Sequence, residues 1–97
     1  MLRADLEEKL KQFELDSELE LYNEYQRIVP EFKYVVETAR RLYLANTVDM
    51  QSKGTGANIY FEIVLKDAWV WDIYRKTRRI NSAHICSFKD VNIEELA

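Results

Sequence analysis

The sequence predicts an α+β fold in two layers: an N-terminal helix, or two helical segments, packed on a curled antiparallel sheet of four or five strands. Three observations carry that prediction. Residues 17–29 join a capping box to an apolar stripe at helical spacing. The stretch Asn58–Ile80 alternates with a period of two around both tryptophans. The intervening chain alternates in the same way and is broken by one glycine loop.

Length sets the scale. Ninety-seven residues fit a single domain, 1–97, with 1–16 expected as a loosely attached helical extension. A chain of 11.6 kDa folds to about 5,800 Å² of surface from about 17,000 Å² extended, enough burial for a modest core without staples. Two glycines, one proline and 12% aromatic residues favour a folded chain over a disordered one.

The helices come first. Asp5 and Glu8 have capping-box-like spacing, with Leu6, Leu10 and Phe13 along one side, so 2–13 can form a helix, as a frayed or separate extension. Ser17-x-x-Glu20 begins the stronger one. Leu21, Tyr22, Tyr25, Ile28 and Val29 follow as a stripe, and Pro30 forces a stop.

The strands follow. Phe32, Tyr34 and Val36 alternate with Lys33, Val35 and Glu37. After Thr38–Arg41, a second alternation runs from Leu42 to Met50. A hairpin is the economical reading, although periodicity also permits a helix over 36–45. Ser52–Ala57, with its two glycines, is a turn. From Asn58 the odd positions Ile59, Phe61, Ile63, Leu65, Trp69, Trp71 and Ile73 are apolar and Asp67 is the exception. Sixteen residues exceed the usual strand of about 5–6, so a bulge or turn at Lys66–Asp67 should divide strands 58–65 and 68–75. Tyr74–Arg79 is a polar connection, 83–88 a last strand, and 91–96 a short terminal segment of open type. The expected core is Leu21, Tyr25, Ile28, Tyr34, Val36, Leu42, Leu44, Ile59, Phe61, Ile63, Trp69, Trp71, Ile73 and Ile85.

Several runs resemble a known family: Leu21-Tyr22-Asn23-Glu24-Tyr25, Tyr34-Val35-Val36-Glu37-Thr38, Leu42-Tyr43-Leu44-Ala45-Asn46, Asp67-Ala68-Trp69-Val70-Trp71-Asp72 and Phe88-Lys89-Asp90-Val91-Asn92-Ile93-Glu94-Glu95. In this order they are similar to the actinobacterial domain-of-unknown-function family 2469, over about Leu19 to Leu96. The resemblance implies a bacterial, cytoplasmic protein and no particular activity. Pro30, and the lack of proline in Arg75–Arg78, depart from the family pattern and bear on the helix end and the loop shape.

Charge narrows the function. The net charge of −3 disfavours a general nucleic-acid binder. Residues 1–24 carry −5, residues 25–85 carry +4 and the tail from Cys86 carries −2. The N-terminus lacks the apolar region of a signal peptide, no run approaches a membrane span, and the single cysteine, Cys86, agrees with a reducing compartment. The expectation is a cytoplasmic protein with no membrane contact.

Candidate chemistry is sparse. His84 and Cys86 share a strand face and could form a dyad, which makes a small enzyme a remote reading, but two ligands fall short of the four a structural zinc takes. Asp67 and Asp72 lie on opposite faces of a regular strand, so a turn residue and a cross-strand ion pair are the simpler roles. Gly54-Thr55-Gly56 lacks the lysine of a phosphate loop. The tryptophans share the parity of Ile63 and belong to the core rather than to a base-stacking platform. No cofactor and no metal are expected.

What remains is basic: Arg40 and Arg41 with Tyr43, and Arg75, Lys76, Arg78 and Arg79 with Tyr74. If the two turns share an end of the sheet, they form one patch able to engage phosphates or an acidic surface. The plain alternative is that these cations pair with the chain's own acids, including the acidic helix. The leading function is a non-catalytic interaction module that contacts a protein or ribonucleoprotein through this patch. Direct RNA or DNA binding by the same residues is the second. Oligomeric state is not encoded in any pattern here.

Overall fold

In a computed structural model the chain is described from residue 2 to residue 96, with side chains from Leu6 onward. The capping role expected of Asp5 lies outside those side chains. Helix α1, Leu2–Ile28, runs without a break through Ser17, which decides between one helix and two segments in favour of one. Serine and glutamate are tolerated inside a helix as well as at its start, so the Ser17–Glu20 box marks no boundary. Pro30 does mark one. The helix stops at Ile28 and yields to a 3₁₀ turn, Val29–Glu31.

At 1.5 Å per residue, α1 is about 40 Å long. Its last turns supply buried Leu21 and Ile28, while Leu6, Leu10 and Phe13 are each more than half exposed. This overhang explains two global numbers. The surface is 7424 Å², above the roughly 5,800 Å² scaling value, and the radius of gyration is 16.5 Å where about 12.5 Å suits a compact chain of this length.

The sheet has five antiparallel strands, β1 Tyr34–Glu37, β2 Leu42–Lys53, β3 Tyr60–Val70, β4 Arg79–Ser87 and β5 Asn92–Glu95. Their spatial order is β4-β3-β2-β1-β5. The region 36–45 is therefore a hairpin, with Tyr34 opposite Ala45. Thr38 closes its turn: Oγ1 accepts the Arg40 and Arg41 N–H groups at 3.3 and 3.1 Å. Gly54 (φ 90) is required in the β2–β3 turn, since a Cβ there would lie 2.1 Å from the Asn58 carbonyl oxygen. The terminal segment is strand β5, with Glu37 opposite Asn92.

Three boundaries differ from the sequence reading. The two strands expected at 58–65 and 68–75 are one, Tyr60–Val70, and Trp71 onward forms the connection to β4. Arg79 opens β4 instead of ending that connection, and Phe88 falls beyond the strand. Ile59 precedes β3 and is 48% exposed, so it leaves the expected core.

The division expected at Lys66–Asp67 is a change of face within one strand. Asp67 is left-handed (φ 52), yet the register passes through it unbroken, with Thr47 opposite Lys66 and Ala45 opposite Ala68. Asn46 Nδ2 donates to Asp67 Oδ2 at 2.7 Å across the pair. Ile63, Leu65 and Ala68 join one apolar cluster and Trp69 joins the other. A regular strand would set Leu65 and Ala68 on opposite faces. The neighbouring strands make the same switch, since Ala45 and Val48, and Ile80 and Ala83, also share a cluster.

Two cores result. Leu21, Ile28, Phe32, Val35, Leu44 and Trp69 pack between α1 and one face, with Tyr25 and Trp71 around them. Val36, Ala45, Ile63, Leu65 and Ala68 pack on the other, with Tyr43, Ile85 and Ile93. The chain itself enforces the curl that encloses the second core. Edges of a flat five-stranded sheet stand about 19 Å apart, and the four residues 88–91 that join β4 to β5 reach about 18 Å fully stretched.

Candidate functional site

The β1–β2 turn (38–41) and the β3–β4 connection (71–78) lie at one end of the sheet. The register fixes this, because Tyr43 faces Val70. The Trp71 N–H continues it, donating to the Leu42 carbonyl at 2.9 Å. Asp72 then folds the connection back. Its Oδ1 accepts the Tyr74 N–H at 3.0 Å and its carbonyl accepts the Arg75 N–H at 3.3 Å, as aspartate does in a turn.

The cations at this end divide into two groups. Arg41 Nη1 pairs with Asp72 Oδ2 at 2.9 Å. Arg79 Nη2 pairs with Glu31 Oε2 at 2.8 Å, its guanidinium 5.7 Å from the Phe32 ring centroid. Arg78 pairs through Nε with Glu24, and its Nη1 donates to the Arg75 carbonyl at 2.8 Å. Arg75 Nε donates to the Thr77 carbonyl at 3.3 Å. Among the described residues, no carboxylate lies within ion-pair distance of Arg40, Arg75 or Lys76.

Two shallow cavities connect these groups. Arg40, Arg41, Trp71 and Tyr74 line one of about 400 Å³ together with Glu18 and Asp72. Arg41, Tyr43, Asp72 and Arg75 line the other, of about 330 Å³. Burial raises the Tyr43 hydroxyl pKa against the opposing pull of Arg41 and Arg75. Tyr74 is 71% exposed. Of the eight suspected residues, Arg40, Arg41, Tyr43, Tyr74 and Arg75 thus line two hollows that share Arg41 and Asp72. Lys76 is an exposed neighbour, and Arg78 and Arg79 are engaged by the helical segment.

The acids that engage them include one from the acidic helix, the partner the sequence had offered as the plain alternative. Glu24 Oε2 accepts the Trp69 indole N–H at 3.2 Å as well as Arg78. The Arg78 guanidinium, with help from the indole, holds the Glu24 carboxyl below its ordinary pKa although burial opposes the shift. The acidic helix facing a basic loop was a visible signal. Which acid meets which base was not.

His84 and Cys86 lie on β4 and line a larger hollow of about 660 Å³. His84 Nε2 is 2.6 Å from Glu62 Oε1, and Lys53 Nζ holds the other oxygen of Glu62 at 2.8 Å. Hydrogen bonds from Lys53 and His84 lower the Glu62 pKa. Among the described residues, none joins His84 to Cys86, as a nucleophilic dyad requires.

These features define a small α+β protein with one overhanging acidic helix and a sheet curled around a second core. The chain belongs to a family described as protein of unknown function (DUF2469), whose model matches residues 5–97. It is 53% identical over 89 residues to uncharacterised proteins of Mycobacterium bovis and Mycobacterium tuberculosis, spanning 92% of this chain and 88% of each relative. No solved structure matches it. Among the described residues, no helix is long and apolar enough to cross a membrane.

Proposed function

We propose that the protein is a non-catalytic cytoplasmic interaction module, and that Arg40, Arg75 and Lys76 contact an acidic surface of a protein or ribonucleoprotein partner. The meeting of the turn 38–41 with the connection 71–78 carries this reading, because it gathers cations with no carboxylate in ion-pair distance among the described residues beside cations that have one. Unpaired cations at a surface steer acidic partners and fix their register. Arg41 and Arg78 shape the site through their internal pairs, so charge reversal there would also disturb the fold. The test is affinity capture from native cells with wild type and the Arg40→Glu/Arg75→Glu/Lys76→Glu variant, before and after nuclease. A partner held by wild type, lost by the variant and indifferent to nuclease supports the reading; equal capture by both refutes it.

One observation favours a second reading. Tyr74, beside Arg75 and Lys76, offers a 71% exposed ring on which a base could stack. Salt-dependent binding of a single-stranded RNA, lost on Tyr74→Ala and in the triple variant, would establish direct nucleic-acid binding. No binding at low salt would remove it.

A further inference from the structure

The two edges of the sheet are treated differently. Strand β5 is four residues long and carries Glu94 and Glu95. Short, charged strands discourage further pairing. Strand β4 is nine residues long and, among the described residues, pairs only with β3. It opens on Arg79 and from Ile80 to Ser87 contains neither lysine nor proline, two of the residues that commonly blunt an edge.

The 660 Å³ hollow lies against this edge. It is lined by the unbroken run His84–Lys89. Successive side chains of a strand point to opposite faces, so a cavity touched by every residue of β4 from His84 to Ser87 reaches the strand's backbone as well as the side chains of one face. Thr38–Arg41 forms the opposite wall. Arg40, Arg41 and Lys89 line the hollow and no carboxylate does. Ile85 is half-buried there, and Phe88 is 75% exposed at the rim.

We propose that this slot accepts an extended acidic segment of a protein partner, which adds to the free edge of β4 as a sixth strand. Main-chain hydrogen bonds to β4 supply affinity, and alternate side chains supply choice. Carboxylates on one side of the incoming strand meet Arg40 and Lys89, and apolar groups on the other meet Ile85 and Phe88. The inference rests on the acidic-partner reading above, sharing Arg40 with it, and adds the conformation and location of the bound segment.

The test uses the full chain and an acetylated octapeptide of alternating aspartate and valine. Amide hydrogen exchange is followed by NMR. Bound peptide should slow exchange at least tenfold at outward-facing amides within 80–87. Affinity should fall at least tenfold in Arg40→Glu/Lys89→Glu. It should fall as much for the same peptide N-methylated at every second residue, which keeps its charge but cannot pair as a strand. Equal binding of the N-methylated peptide, or unchanged exchange along β4, overturns strand addition. A peptide that binds without protecting β4, and is lost only on Arg75→Glu/Lys76→Glu, overturns it while leaving the acidic-partner reading in place. Protection of β4 with no effect of Arg75→Glu/Lys76→Glu separates the two in the other direction. A single-stranded RNA that displaces the peptide from β4 also overturns the proposal.

Discussion

Replacing Glu24 should separate two contributions that meet on one oxygen. Glu24 Oε2 accepts from Trp69 Nε1 and from Arg78 Nε, tying α1 to β3 and to the connection before β4. Trp69 is 1% exposed, so in Glu24→Ala its indole N–H loses its partner in a place water scarcely reaches. An orphaned buried donor costs about 1–3 kcal/mol. The partly exposed ion pair adds about 0–1 kcal/mol, so Glu24→Ala should destabilise by about 2–3 kcal/mol. In Glu24→Gln the amide oxygen can still receive the indole, and the loss should be about 1 kcal/mol. For a chain of this size these correspond to falls in melting temperature of roughly 8–24 °C and roughly 4–8 °C. Because the folded state lowers the Glu24 pKa, its charge contributes stability above the ordinary carboxylate pKa, and that contribution disappears as pH falls through the lower folded value. The gap between wild type and Glu24→Gln should therefore be open at neutral pH and closed in strong acid. Urea unfolding followed by tryptophan fluorescence at several pH values measures both effects. Equal losses in the two variants would refute the role of the indole, and a gap that persists in acid would refute the role of the charge.

Two further perturbations probe the architecture. Leu21→Ala, at a fully buried position of the helix–sheet core, should cost about 2–5 kcal/mol by chemical denaturation, whereas Leu10→Ala on the overhang should stay within about 0.5 kcal/mol; comparable losses would mean that the overhang is packed. At the left-handed Asp67, Asp67→Asn should remain within about 1 kcal/mol of wild type, while a β-branched Asp67→Val should lose at least about 2 kcal/mol. If valine is tolerated as well as asparagine, the change of strand face does not depend on that conformation.

Much of the fold is legible in local chemistry. Pro30 ends the helix, Gly54 permits the β2–β3 turn, and period-two runs supply the strands that form the sheet. Each depends on neighbours within a few residues. The reading of Ser17 as a helix start has a local origin too, since the residues of a capping box fit a helix interior as well as its first turn. Ile59 carries the parity of Ile63 but precedes the paired strand, and alternation alone does not reveal where pairing begins.

The site was less legible because its decisive contacts are distant in sequence. Six arginines and lysines in two segments were visible as a patch. Their division into paired and unpaired groups depends on Glu24, 54 residues from Arg78, and on Glu31, 48 residues from Arg79. Composition shows only that such acids exist.

By itself the sequence determined the α+β class, the hairpin turns and the burial of Trp69 within the tryptophan motif, because propensity, turn chemistry and hydrophobic period act locally. Tertiary structure alone decided which core receives Trp69, which cations stay free and which sheet edge remains open. Asp67 reverses the faces of β3 without shifting its register, and the short 88–91 connection draws the sheet into a curl. Both effects come from closing the chain on itself, which no single segment specifies.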